Sequence, residues 1–189
     1  MYLRKKMTEE LEHKNVISFC ITDDNAETHQ LAIENAKLVS KLLPEWEGHF
    51  YVYSDLSSEI KDALSSQENC SVYMIEEKAR TNKDIWSFMP LGQPNSISTL
   101  VSRDCNLLLT EDDVIAIKAW LDSPYQFSVK ATEEGLNIKS FCAKLHGPVN
   151  TIWLIHYLHT LNPEGEMETN ELFDRFYGAF NFLFYRESE

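Results

Sequence analysis

The sequence predicts an α/β fold, with one domain built on a largely parallel sheet flanked by helices. Short runs typical of strands alternate with runs of helical periodicity over residues 16–131, which indicates right-handed β-α-β units. The length of 189 residues suits one domain with one core, and no linker rich in Ser, Gly or Pro divides it. We expect a flexible segment over residues 1–14 and the domain over residues 15–189.

The first half of the domain is predicted to alternate three strands with two helices. In the first strand, Ile17, Phe19 and Ile21 share one face, and turn-forming residues follow it. Apolar residues at helical spacing predict the first helix, which Pro44 ends. The predicted strands are residues 16–22, 49–54 and 71–75, and the predicted helices are residues 27–43 and about 57–65.

The second half continues the alternation and then becomes more helical. A capping-box pattern of Thr110 with Asp113 predicts the start of a helix that ends at Ser123. The strands are predicted at 97–102 and 126–131, and further helices at 149–161 and 171–185. The last helix carries four phenylalanines at helical spacing, so we favour a buried helix that closes the core. Its alternative role is an interface that forms a homo-oligomer.

Composition and charge exclude several classes of partner. The chain has 30 acidic against 17 basic residues and a formal charge of −13, which argues against nucleic acid as a partner. No apolar run is long enough for a membrane span. The four cysteines are scattered without a C-x-x-C pair, so we expect free thiols and a cytoplasmic location.

The six glycines exclude the common nucleotide-binding loops. They are so widely spaced that no two lie within ten residues of each other. A dinucleotide-binding fingerprint, a Walker loop and a nucleophile elbow each need two glycines close together. Ordinary Rossmann dehydrogenases, P-loop NTPases and α/β-hydrolases are therefore excluded.

Two of the predicted strands end in acidic residues. Asp23 and Asp24 follow the first strand, and Arg103, Asp104 and Asn106 follow the strand at 97–102. Ligands of open parallel sheets bind beyond the carboxyl ends of the strands, and we expect the ends of these two strands to lie side by side at a single cleft. Two oxygen donors at positions i and i+2 can share Mg²⁺ or Mn²⁺, and a neighbouring arginine can pair with a phosphate. The alternative is that these acids are simply solvated.

Six segments between residues 15 and 131 carry a resemblance to a known family. They read Ala32-Ile-Glu-Asn-Ala-Lys-Leu38, Pro44-Glu-Trp-Glu-Gly48, Tyr51-Val-Tyr53, Trp86-Ser-Phe-Met-Pro-Leu91, Ser102-Arg-Asp-Cys-Asn-Leu-Leu-Leu-Thr-Glu-Asp-Asp113 and Ala119-Trp-Leu-Asp-Ser123. Together they resemble small GT-A-type glycosyltransferase domains of bacterial and large-virus polysaccharide pathways. The most specific part is the pattern Arg-Asp-x-Asp after a strand, followed by a helix that ends in Trp-Leu-x-Ser.

The resemblance implies a nucleotide-diphosphate sugar as donor and a glycan or other hydroxyl compound as acceptor. Residues 15–131 would bind the nucleotide sugar, and residues 132–189 would form the acceptor side. The implied nucleotide-binding residues are Asp23, Asp24 and Arg103, and the implied ligands of Mn²⁺ or Mg²⁺ are Asp104 and Asn106. Lys130, which the family pattern does not include, is a further candidate for a cation at the phosphates, and its alternative is a solvated strand residue.

This chain departs from the family pattern at two places. Asn106 stands where the family has its second acid, and an amide oxygen brings no charge, so weaker metal binding is implied. Relatives have a His and an Arg-Asp pair where this chain has residues 128–132. The leading hypothesis is a metal-assisted glycosyltransferase, and the alternative is a non-catalytic relative that binds a nucleotide sugar as a scaffolding module.

Overall fold

The structure, a computed structural model, describes residues 13–21, 25–131, 138–161 and 184–186, with backbone only at 77–84, 131, 138, 139, 161 and 184–186. The strands are β1 (Lys14–Ile21), β2 (Trp46–Tyr53), β3 (Cys70–Ile75), β4 (Ile97–Asp104), β5 (Phe127–Ala131), β6 (Ile138–Lys144) and β7 (Phe184–Arg186). The helices are α1 (Ala26–Leu42), α2 (Ser58–Ser65), α3 (Glu111–Asp122) and α4 (Thr151–Leu161), and a 3₁₀ segment covers Glu77–Gly92.

In the described residues, the strands form one sheet in the order β3-β2-β1-β4-β6-β5-β7. Strands β3, β2, β1 and β4 are mutually parallel, and β5 is parallel to β7. Strand β6 runs antiparallel to both of its neighbours, β4 and β5. The predicted α/β fold with a largely parallel sheet is therefore confirmed, and β6 is an addition that the sequence pattern did not indicate.

The C-terminal part corrects one prediction. Residues 184–186, where the predicted helix 171–185 should end, form strand β7, in which Phe184 pairs with Phe127 of β5. Aromatic residues suit a half-buried strand as well as a helix, and the edge of β5 offers hydrogen bonds to the strand. The rest of that predicted helix lies outside the described residues, as does most of the predicted flexible segment 1–14.

Successive side chains of each strand face opposite sides of the sheet, and the buried apolar ones form two hydrophobic clusters, one on each face. The first lies under α1, α2 and α3 and includes Ile17, Phe19 and Phe50. The second lies under the 3₁₀ segment and α4 and includes Val16 and Phe141. Burial of each large apolar side chain stabilises the fold by about 1.5–3 kcal/mol. The sheet is thus covered on both sides, and its carboxyl edge is left to the loops.

Side chains define the beginnings of the two helices that follow β1 and β4. The Asn25 side chain caps α1 by accepting a hydrogen bond from the Thr28 backbone N–H. At α3, Thr110 and Asp113 form the predicted capping box, with each side chain bonded to the other residue's backbone N–H. Both helices therefore begin at well-defined points next to the carboxyl edge of the sheet.

Candidate functional site

The carboxyl ends of β1 and β4 lie side by side. The two strands are parallel neighbours, and Cys20 of β1 pairs with Asp104 of β4. This confirms the expectation that the loops after these two strands begin at the same place on the sheet edge. Asp23 and Asp24, the expected nucleotide-binding residues, lie outside the described residues.

Asp104 and Asn106 form a compact turn at this edge. The backbone N–H of Asn106 donates to Asp104 Oδ1 over 2.9 Å. The side-chain oxygen of Asn106 accepts a hydrogen bond of 2.9 Å from the hydroxyl of Thr28, which is buried in the first turn of α1. The loop after β4 is therefore tied to the start of α1. Asp104 is exposed, and its Oδ2 has no partner among the described residues.

A buried asparagine that sequence reasoning missed holds the rest of this loop. Asn35 lies in the middle of α1 and is fully buried. Its Nδ2 donates to the carbonyl oxygens of Cys105 and Leu107 at 3.0 and 3.3 Å, and its Oδ1 accepts from the Leu109 N–H at 2.9 Å. The sequence feature that could have identified Asn35 is its position within the apolar stripe of α1, because a polar group buried there requires hydrogen-bond partners.

Arg103 points away from Asp104, because successive residues of a strand face opposite sides of the sheet. It is buried under α3, where its Nη2 donates to Asp113 Oδ2 at 3.1 Å and to the Leu108 carbonyl at 3.4 Å. Lys130 Nζ lies 3.2 Å from the other oxygen of Asp113. The structure therefore brings Arg103 and Lys130 together at Asp113 and does not bring either to Asp104.

The Asp113 carboxylate has unusual electrostatic surroundings. Burial by itself would raise its pKa, but the nearby Arg103 charge and hydrogen bonds from Thr110 outweigh burial and lower the pKa from 3.8 to about 2. Asp113 is therefore charged at every physiological pH. It holds two cations and the first turn of α3 at once.

The Asp104 and Asn106 side chains present oxygen atoms at the sheet edge. Within the described part of the chain, no three His, Cys, Asp or Glu side chains are grouped closely enough to hold a metal. Asp104 Oδ2 and the Asn106 amide oxygen are hard oxygen donors, which suit Mn²⁺ or Mg²⁺. Mg²⁺ is commonly bound by one or two carboxylates, with water and phosphates as its remaining ligands. The donor set fits such a shared site.

The fold is that of GT-A-type nucleotide-diphospho-sugar transferases, as comparison with solved structures shows. Galactosyltransferase LgtC, in complex with donor and acceptor sugar analogs, is 14% identical, with a TM-score of 0.55 over 92% of this chain and 73% of that chain. The 4-diphosphocytidyl-2C-methyl-D-erythritolsynthase from Anaerococcus prevotii is 12% identical, with a TM-score of 0.56 over 92% and 86%.

A third similar structure is Rv0371C from Mycobacterium tuberculosis, in complex with manganese. It is 5% identical, with a TM-score of 0.56 over 94% of this chain and 89% of that chain. No protein-family model matches the sequence, and no curated protein matches it significantly. At these identities the likeness shows the fold, and the activities belong to the proteins named.

In the described residues, no helix is both long and apolar enough to span a membrane.

Proposed function

We propose that this chain is a glycosyltransferase that takes a sugar from a nucleotide-diphosphate donor and passes it to a glycan or another hydroxyl acceptor. The observation that carries the proposal is the position of Asp104. Its exposed carboxylate stands at the carboxyl edge of a parallel sheet, beside the end of β1. In open α/β sheets, this is the edge at which ligands bind.

Asp104 and Asn106 would hold a divalent cation together with the donor diphosphate. When bound, Mn²⁺ or Mg²⁺ would neutralise the charge that develops on the departing nucleoside diphosphate. Asp104 would contribute the charge through Oδ2, and the Thr28 hydroxyl would orient the Asn106 amide. Asp23 and Asp24 follow β1 in the sequence and are proposed to contact the nucleotide.

The structural neighbours support the donor class and the metal. LgtC was solved with donor and acceptor sugar analogs, and Rv0371C was solved with manganese. Asn106 supplies an amide oxygen where a second carboxylate would bind the cation more tightly. We therefore expect a requirement for a higher Mn²⁺ concentration than a site with two acids would have.

A second candidate is a nucleotide-sugar-binding module without catalysis. One specific observation favours it: Arg103 and Lys130, the cations expected at the phosphates, are both bonded to Asp113. A site with fewer cations would still bind a nucleotide sugar, but it would stabilise the departing nucleoside diphosphate poorly. The two candidates therefore share the binding site and differ in turnover.

Thermal unfolding with UDP, GDP or CDP tests the shared site. We expect at least one nucleotide to raise the melting temperature more with Mn²⁺ than with EDTA. Asp104→Asn should remove this difference, because it removes the charged ligand. Glu45→Gln is the matched control, since it removes one exposed charge just before β2, at the amino edge of the sheet. An equal metal response in wild type and Asp104→Asn would contradict the site.

Donor hydrolysis separates the two candidates. A glycosyltransferase commonly releases sugar slowly to water when no acceptor is present, so the matching nucleotide sugar should yield free sugar and nucleoside diphosphate. Asp104→Asn should abolish this release, and Glu45→Gln should preserve it. Mn²⁺-dependent binding without sugar release, in the presence of hydroxyl acceptors, would favour the binding module.

A further inference from the structure

A small cavity lies between α3 and the strands β4, β6 and β5, on the face of the sheet opposite to Asp104. It is lined by Arg103, Asp113, Ser128, Lys130, Ser140 and Cys142, among others. The space open to the centre of a water molecule is about 20 Å³. One water molecule or an ion of similar size needs at least about 10–15 Å³ by this measure.

The register of the sheet places three polar side chains in one row at this cavity. Arg103 of β4 pairs with Ser140 of β6, and Ser140 pairs with Lys130 of β5. Directly paired residues of neighbouring strands project to the same face. A guanidinium, a hydroxyl and an ammonium group therefore stand side by side, and Asp113 of α3 lies across from them.

The charges and donors of this row exceed what Asp113 can satisfy. Two cations meet one carboxylate, which leaves one positive charge in excess. The contacts of the Arg103 guanidinium run through Nη2, to Asp113 and Leu108. Its Nε is fully buried and has no partner among the described residues, although Arg103 is 6% exposed. A buried charged donor without a partner is costly, and a ligand that accepts hydrogen bonds would remove this cost.

We propose that this cavity binds a small inorganic anion of the size of chloride. The anion would accept from Arg103 Nε and from the hydroxyls of Ser140 and Ser128, and it would offset the excess positive charge shared with Lys130. A water molecule would satisfy the donors but leave the charge. The site is separate from the proposed donor site, because Arg103 and Asp104 face opposite sides of the sheet.

The bound anion would stabilise the packing of α3 on β4, β6 and β5. Thermal unfolding of the full chain in sodium chloride and in sodium gluconate, at equal ionic strength, tests this. Gluconate is too large for the cavity and controls for screening. We expect the melting temperature to rise with chloride and to saturate, while gluconate gives no saturating rise.

Two variants locate the effect. The chloride midpoint is the chloride concentration that gives half of the rise in melting temperature. Lys130→Met should raise this midpoint at least about ten-fold, because it removes the excess positive charge. Lys118→Met removes an exposed cation from α3 and should leave the midpoint unchanged. Ser140→Ala keeps all charges and removes one donor, so it should shift the midpoint by a smaller factor. It also provides the test if Lys130→Met fails to fold.

Crystals grown in bromide give a direct readout, since bromide scatters anomalously and resembles chloride. An anomalous peak beside Arg103 Nε that is weaker or absent in Lys130→Met crystals would support the proposal, and the lack of any such peak in wild-type crystals would overturn it. Equal stability of the wild type in chloride and gluconate would overturn it. A chloride midpoint that neither Lys130→Met nor Ser140→Ala changes would overturn it as well.

Discussion

Arg103 and Asp113 form a buried ion pair that joins the carboxyl end of β4 to the first turn of α3. Nη2 of Arg103 donates to Oδ2 of Asp113 over 3.1 Å, and the two side chains are 3% and 9% exposed. The same Asp113 oxygen accepts from the backbone N–H and the hydroxyl of Thr110. One carboxylate thus caps the start of α3 and neutralises a buried cation. Its loss should therefore destabilise both the start of the helix and the buried Arg103 side chain.

Asp113→Asn should lower the free energy of unfolding at pH 7 by about 3 kcal/mol, because it leaves the buried Arg103 charge without its partner. The pH dependence has a defined sign. The pKa of Asp113 is lowered from 3.8 to about 2, so its stabilisation is present above pH 4 and is lost as the pH falls toward 2. Urea unfolding at a series of pH values measures both effects.

The control for this substitution is Asp112→Asn, which changes an exposed neighbour in the same turn. It should keep the wild-type loss of stability between pH 4 and pH 2, while Asp113→Asn should reduce that loss. If Asp113→Asn retained the full acid dependence, the ion pair would not be its source.

Asn35→Leu should destabilise the protein by about 3 kcal/mol, because it removes three hydrogen bonds in the interior and leaves their backbone partners unpaired. Since Asn35 holds the loop after β4, the substitution should also weaken the Mn²⁺-dependent part of nucleotide binding. Gln30→Leu, on the exposed face of α1, is the matched control and should change stability by less than about 0.5 kcal/mol. Equal effects of both variants would show that the loop does not depend on this amide.

Asn106→Asp should tighten Mn²⁺ binding in the presence of nucleoside diphosphate, because two carboxylates bind a hard cation more strongly than one. Without metal, repulsion from Asp104 should lower the melting temperature slightly. Titration of Mn²⁺ by isothermal calorimetry checks the first expectation, and thermal unfolding in EDTA checks the second. Asn95→Asp adds the same charge at the opposite edge, before β4, and should leave Mn²⁺ binding unchanged. A lower melting temperature with no gain in Mn²⁺ affinity would reject the metal site.

Gly48→Ala should cost about 1–3 kcal/mol, because a Cβ at this position of β2 would lie 2.9 Å from Cys70 Sγ and 3.2 Å from the Phe50 ring. Gly92→Ala offers the comparison. There the nearest atom to the added carbon is Ile155 Cγ2 at 3.9 Å, an ordinary contact, so a change within about 0.5 kcal/mol is expected. Denaturant unfolding of the two variants compares them directly, and similar losses in both would contradict the packing of β2 against β3.

Local patterns predicted much of the fold. Alternation in the first strand and helical spacing before Pro44 correctly indicated β1 and α1, and Thr110 with Asp113 correctly indicated the start of α3. They succeeded because apolar periodicity reports directly which residues of an element face a core. Strand β6 was not indicated, since its seven residues mix two lysines and a serine with apolar residues and carry no strong period.

By itself, the sequence determined that Asp104 stands close to the end of a strand in a largely parallel sheet, and it correctly predicted that the end of β1 lies beside it. Only the tertiary structure decided what the nearby side chains bond to. Arg103 contacts Asp113 on α3, and Asn35 holds a loop 70 to 74 residues further along the chain. The reason is physical: periodicity shows which face of a strand or helix is buried. The partner across that face is set by sheet register and helix placement, which depend on residues far apart in the sequence.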